Sequence, residues 1–169
     1  TQQYNMGDAA SRAGVVDQTG GNITVNTGGM RVGHWPTNNS IYTMTGGSLT
    51  LTANPAANPS ATSEQAGGIY LGVDGTGTFV QSGGSVSTKF VVLDNRGDTA
   101  GVDTLTLNAG TMTLTSTWGM VQRNAATAVN FGGGTVIAGA NLPLDVAPVL
   151  ASSTVSTINT SGFTVTARR

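Results

Sequence analysis

The sequence contains no cysteine and few charged residues, and each absence excludes a class of protein. Without cysteine there is neither a disulfide framework nor a thiolate metal site, although an extracellular location remains open. Charged residues make up 9% of the chain, and the formal net charge is −1. This composition provides no basis for electrostatic capture of nucleic acid or an anionic membrane, so we expect neither as a partner.

Long apolar runs are also missing. No run approaches the roughly 20 residues that a helix needs to span a bilayer, so we expect no insertion into a membrane. The chain begins with Thr1 rather than Met, as it would if an export signal had been removed. Thr, Ser, Asn and Gly take the place of charged residues, as they often do in secreted fibrous β proteins. We therefore expect a secreted protein, either extracellular or at the cell surface.

What the sequence does contain is a repeated β pattern. Within Tyr42–Thr52, large apolar and small polar residues alternate, the alternation breaks at Gly46-Gly47, and it then resumes. A period of two is typical of a strand, and the glycine pair indicates a corner whose dihedral angles a β-carbon would oppose. The second corner residue of each copy falls at positions 21, 47, 84, 110, 134 and 161, so the steps are 26, 37, 26, 24 and 27 residues. The long step contains an 11-residue Pro/Asn/Ala/Ser loop at 53–63, which we interpret as an insertion.

A third short strand precedes each new copy, which makes three strands per rung. The sequence therefore predicts an all-β fold with one domain over residues 1–169: a right-handed parallel β-helix of five to six rungs of about 26 residues. Equivalent apolar positions should stack into inward columns, one of which comprises Ile23, Leu49, Val86, Met112, Val136 and Phe163. Gln18 and Gln81 fall in another such column, either as corner residues or as ladder-forming amides.

The two ends predict an assembly. Tyr4–Gly7 matches a third strand with no first or second strand before it, whereas Ile158–Ala167 matches a first and a second strand. Pro143 and Pro148 cannot donate to a central ladder, so 141–150 is expected to be an irregular third face. Open rung halves at both ends would let copies stack head to tail, and the alternative is a fragment of a longer solenoid. The predicted interface consists of Tyr4, Met6, Ile158, Phe163 and Val165.

Several segments resemble a known family. Tyr42–Leu51, Leu71–Gly84 and Phe131–Gly139 resemble bacterial autotransporter-associated β-strand repeats, and Ile158–Val165 is similar to the segment that often closes a block of them. The resemblance implies a secreted, surface-associated β-solenoid. It implies no particular activity.

No catalytic constellation is evident. Glycan-cleaving β-helices need clustered acids on one face, but the acids here fall mostly in turns, where Asp caps backbone amides. His34 is the only histidine. Without a second histidine to act as a base, the serine-rich turns contain no nucleophile constellation. We expect no enzyme, no catalytic residue and no cofactor. One open alternative is a Ca²⁺ ion shared by Asp74 and Asp94 if they lie on adjacent rungs.

The expected function is a structural subunit of a secreted fibre or surface layer whose main partner is a second copy of the same chain. The alternative is a glycan-binding or glycan-cleaving module of a surface adhesin, with a surface polysaccharide as partner. Its candidate contacts are Trp35, Tyr70 and Trp118, which could equally be isolated aromatics that shield strand edges.

Overall fold

A computed structural model describes residues 4–6, 13–60, 64–96, 101–124 and 127–168. These residues form β-strands and no helix, so the described part of the chain has no helix long and apolar enough to cross a membrane. The strands are β1 Tyr4–Met6, β2 Val15–Gln18, β3 Asn22–Val25, β4 Met30–Val32, β5 Asn39–Met44, β6 Ser48–Leu51, β7 Gly68–Leu71, β8 Thr76–Thr88, β9 Phe90–Leu93, β10 Asp103–Leu114, β11 Met120–Gln122, β12 Thr127–Phe131, β13 Thr135–Ala138, β14 Leu142–Asp145, β15 Pro148–Leu150, β16 Thr157–Asn159 and β17 Val165–Ala167.

The strands stack in parallel on three faces. The first face runs β2-β5-β8-β10-β12-β15, the second runs β3-β6-β8-β10-β13-β16, and the third runs β1-β4-β7-β9-β11-β14-β17. Strands β8 and β10 continue around the first corner, between the first and second faces. The second corner precedes the third face, and the third corner follows it. The prediction of a parallel β-solenoid with rungs of about 26 residues is therefore confirmed, with about six turns.

Alternation along each strand fills the interior. In β5, Tyr42 and Met44 are buried while Thr43 between them is only partly so, because successive side chains point to opposite faces. Inward residues then stack along the axis: the ring of Tyr42 lies parallel to that of Phe79 on the next rung, with centroids 5.0 Å apart. Each fully buried side chain of this kind contributes about 1.5–3 kcal/mol.

The outer surface is polar and also follows the rung period. Outward residues hydrogen-bond to their equivalents one rung away, as Ser48 does to Asn22 at 2.8 Å and Asn108 to Ser82 at 3.2 Å. These cross-rung contacts give Thr, Ser and Asn partners without charge.

The last rung differs from the prediction. Val136 pairs with Ile158 and not with Phe163, so Ile158 ends that inward column. Strand β15 already belongs to the first face, β16 to the second and β17 to the third, and residues 148–167 therefore form a complete rung. The expected open half-rung at this end is wrong, because Ser161-Gly162 forms the second corner of the rung and not its first.

Residues 141–150 are not an irregular third face. Leu142–Asp145 is a regular third-face strand, and Pro148–Leu150 begins the next rung. Leu142 N donates to Thr164 O at 3.0 Å, and Leu144 O accepts from Arg168 N at 3.3 Å. These neighbours make the main-chain bonds to β17, so Pro143 between them need not donate to that strand.

The inserted loop covers the outside of the third face. We call residues 53–60 and 64–66 the strap; residues 61–63 lie outside the described part of the chain. Beneath it a second apolar cluster forms from outward-facing third-face residues that a solenoid would normally expose. Tyr70, Phe90 and Val92 have no exposed surface there, and Trp118 packs against their edge.

Candidate functional site

A buried carboxylate ties the strap to two other rungs. The Glu64 side chain is 5% exposed and lies 2.6 Å from the Arg31 guanidinium and 2.8 Å from that of Arg96. Asn95 donates to the same carboxylate at 3.1 Å, and Arg96 also pairs with Asp74 at 2.5 Å. Arg31 belongs to the first rung and Arg96 to the third, so the network bridges rungs that are not neighbours.

The only histidine belongs to this network. Its Nε2 lies 3.2 Å from Nη1 of Arg31, and partial burial, followed by the nearby Arg31 charge, lowers the pKa of His34. The imidazole nitrogen accepts from the same Arg31 guanidinium that binds Glu64, and the lowered pKa favours the neutral ring in this position.

Asp74 and Asp94 do follow successive third-face strands, as a shared cation would require. Asp74, however, is engaged by Arg96. No group of three His, Asp or Glu side chains within the described ranges is arranged to hold a metal ion. A Ca²⁺ ion shared by Asp74, Asp94 and turn carbonyls stays a prediction.

The three candidate aromatic residues do not form one surface. Tyr70 is fully buried under the strap, where its hydroxyl contacts the Gln65 backbone. Trp35 is 44% exposed at the third corner, beside His34. Trp118 lies at the second corner of a later rung, so the two tryptophans stand at opposite edges of the third face.

Trp118 lies in a groove on the outside of the third face, which we call the Trp118 groove. Its first hollow, of about 300 Å³, is lined by Trp118 and Val121, two prolines from the strap and β14 (Pro59 and Pro143), and two arginines (Arg123 and Arg168). Arg123 is fixed against the strap because its Nη2 donates to Pro59 O.

A second hollow of about 360 Å³ continues the groove. It shares Thr117, Pro143 and Arg168 with the first, and adds the polar residues Asn141, Thr164 and Thr166. One half of the groove is therefore aromatic and cationic, and the other half offers hydroxyl and amide groups.

The sequence carried a signal for this groove that composition alone does not show. Trp118, Pro143 and Arg168 follow one another at intervals of 25 residues, close to one rung. The repeat period thus predicts that they lie on consecutive rungs. The contribution of Pro59 could not be foreseen, because it depends on how the strap folds back.

The predicted assembly residues are distributed between both ends. Tyr4 is 43% exposed and Met6 is buried against β4, while Ile158 is 47% exposed and Val165 is partly buried. Phe163 is 42% exposed in the turn before β17, where its N–H donates to Thr160 O at 2.8 Å.

Comparison with protein-family models, curated proteins and solved structures finds no match to this chain. The observed class is a β-solenoid repeat protein, while the association with autotransporters remains an expectation.

Proposed function

We propose that this solenoid is a structural subunit of a secreted fibre or surface layer, and that copies stack end to end along the solenoid axis. The observation that carries the proposal is the state of the last rung. Leu150 and Ile158 occupy inward column positions there, but they are 66% and 47% exposed. The equivalent residues one rung earlier, Phe131 and Val136, are buried.

The opposite end presents matching residues. Ile23 begins the column that Ile158 ends, and it is only partly covered. Val16, also partly covered, begins the neighbouring column that Pro148 ends, while the column of Leu150 begins at buried Gln18. Stacking one copy on another would bury Ile23 against Ile158 and cover Val16 and Leu150, and each complete burial contributes about 1.5–3 kcal/mol. It would also pair strand edges that have neighbours on one side only among the described residues.

The low charge supports the same function. Eight acids and seven basic residues leave little net charge for copies to repel one another as they stack. A head-to-tail contact uses two different surfaces of each copy, and it therefore propagates into a filament.

The joint between copies follows from the strand count. Among the described residues the third face has seven strands, one more than each of the other faces, because β1 precedes the first complete rung. β1 is three residues long, and Tyr4 and Asn5 in it are exposed. We infer that β17 of one copy displaces β1 from β4 of the next, which lets all three faces continue. The subunit rise is then six rungs, about 29 Å at the usual strand spacing.

Electron microscopy of the purified chain at micromolar concentration tests the proposal. We expect filaments with the rise of about 29 Å. Leu150→Lys should abolish them, since it places a charge in the joint. Val102→Lys is the matched control, because Val102 is 54% exposed in the turn before β10, away from both ends.

Dispersed monomers of the unmodified chain, or equal loss of filaments in both variants, would contradict end-to-end stacking. A rise near 34 Å, corresponding to seven strands, would show that β1 stays in place and that the displacement is wrong.

A further inference from the structure

We propose that the Trp118 groove binds an acidic saccharide, with a uronic acid carboxylate held by arginine and a sugar ring lying against Trp118. The groove lies on the outside of the third face and extends to β17 in the last rung, beside the strand edge that end-to-end stacking would pair. It combines three features: an indole packed against the cluster beneath the strap, two arginines and a row of small polar groups.

The apolar contact is preorganised. The Trp118 ring packs against buried Phe90, with centroids 5.3 Å apart, and its N–H backbone group is bound to Ser116 Oγ at 3.3 Å. Pro59 and Pro143 line the same hollow with conformationally restricted rings. A ligand therefore meets a surface that loses little side-chain freedom on binding. A pyranose ring offers C–H groups to such a surface while its hydroxyls remain in water.

The charge of the groove selects an acid. Arg123 and Arg168 line the first hollow, and no Asp or Glu lines either hollow in the described structure. Asp145 is the strand-register partner of Val121, one of the lining residues, but it does not itself line either hollow. Guanidinium groups bind planar carboxylates through two parallel charge-assisted hydrogen bonds, and a neutral sugar offers no charged acceptor of this kind.

The second hollow extends the site beyond one sugar unit. Asn141, Thr164 and Thr166 provide amide and hydroxyl groups suited to ring hydroxyls, and Arg168 is shared between both hollows. The groove is open along its length, as a site for a polymer must be, and the two hollows together fall in the usual size range of small-ligand sites.

Calorimetric titration with trigalacturonic acid tests the proposal, with its fully methyl-esterified form as the matched ligand. The ester keeps the rings but removes the charges. We expect the acid to bind and the ester to bind at least about tenfold more weakly, since a hydrogen bond to a charged group is worth roughly that factor or more. Arg168→Gln should weaken binding of the acid by about tenfold, to the level of the ester.

Trp118→Ala should also weaken binding, and Trp35→Ala is its control, since Trp35 is exposed at the opposite edge of the third face. If Trp118→Ala fails to fold, the effect of Arg168→Gln on binding still tests the proposal. Equal binding of acid and ester, no heat at millimolar ligand, or equal losses in the two tryptophan variants would overturn the proposal.

Discussion

The side-chain amide of Gln18 donates a hydrogen bond to the main-chain carbonyl of Ser48, one rung further along, at 2.9 Å. Gln81 makes the same contact with Thr111 O at 3.0 Å. Both glutamines sit inside the first corner, where the chain turns and carbonyl groups leave the strand ladder. They are corner residues that bind the backbone, and they do not pair with each other as stacked amides.

The Gln18 contact should be coupled to Tyr42, whose hydroxyl donates to Gln18 Oε1 at 2.5 Å. We expect Gln18→Leu to lower the free energy of unfolding by about 2–3 kcal/mol, because it leaves a buried carbonyl and a buried hydroxyl without this partner. Tyr42→Phe should cost about 1 kcal/mol. Urea unfolding of the double variant should show a loss smaller than the sum, and strict additivity would contradict the coupling. Met44→Leu, a volume-conserving change nearby, should cost less than about 1.5 kcal/mol.

Burial of Tyr42 also predicts how stability depends on pH. Burial, and then the proximity of Tyr4, raises the pKa of Tyr42 to about 12 from an unfolded value of 10.0. Below pH 10 both states keep the proton. Above it the unfolded chain loses the proton first, so the free energy of unfolding should fall by about 1.4 kcal/mol per pH unit until pH 12.

Unfolding at pH 9, 10 and 11 should therefore show a shallower decline for Tyr42→Phe than for the unmodified chain. Burial raises the pKa of Tyr70 as well, so part of the decline should remain in the variant. Parallel curves for the two proteins would rule out a contribution from Tyr42.

The ion pairs of Glu64 should hold the strap against the third face. Glu64→Gln leaves Arg31, whose side chain is 14% exposed, without its buried partner, and we expect a loss of about 2–3 kcal/mol with faster proteolysis of the strap. Asp74→Asn is the control, since its partner Arg96 is 37% exposed and the pair should contribute less than about 1 kcal/mol. If both variants lose the same free energy of unfolding, the bridge between the rungs does not stabilise the protein more than an exposed ion pair does.

Neighbouring glycines at equivalent corners should respond very differently to alanine. Gly47 has a φ of 78°, and a β-carbon there would lie 2.1 Å from Gly21 O on the rung below. Gly47→Ala should cost at least about 2 kcal/mol, from the left-handed backbone and the displaced neighbour. Gly20→Ala should stay within about 0.5 kcal/mol, because nothing lies within 4 Å of its added carbon. Thermal unfolding of the two variants tests this prediction, and equal shifts of Tm would contradict it.

Most of the fold could be predicted because a rung repeats its own pattern. The glycine corners gave the period, and period-two alternation gave the inward columns through Ile23, Leu49, Val86, Met112 and Val136, all confirmed by strand register. The last rung was misassigned because glycine marks every kind of corner. Gly47 turns the first corner and Gly67 the second, both with φ near +77°, so Ser161-Gly162 carried no indication of which one it was.

The Trp118 groove was only partly foreseeable. Trp118 stood out in the sequence as a rare aromatic residue, but Arg123 and Pro59 meet through a contact between residues 64 positions apart. Composition cannot show where an insertion folds back. The strap also explains why Tyr70, an obvious surface candidate, is buried, since its hydroxyl contacts the Gln65 backbone.

The bridge from Arg31 through Glu64 to Arg96 has a mechanical consequence. A solenoid whose rungs contact only their neighbours should unfold one rung at a time when its ends are pulled apart. Each unfolding step should release about 90 Å of chain, the extended length of a rung of about 26 residues. The first three rungs are fastened together by one carboxylate. Under a pulling force these three rungs should unfold together, in one step that releases more chain than a single rung does. The N-terminal end of the solenoid should therefore resist force better than the C-terminal end.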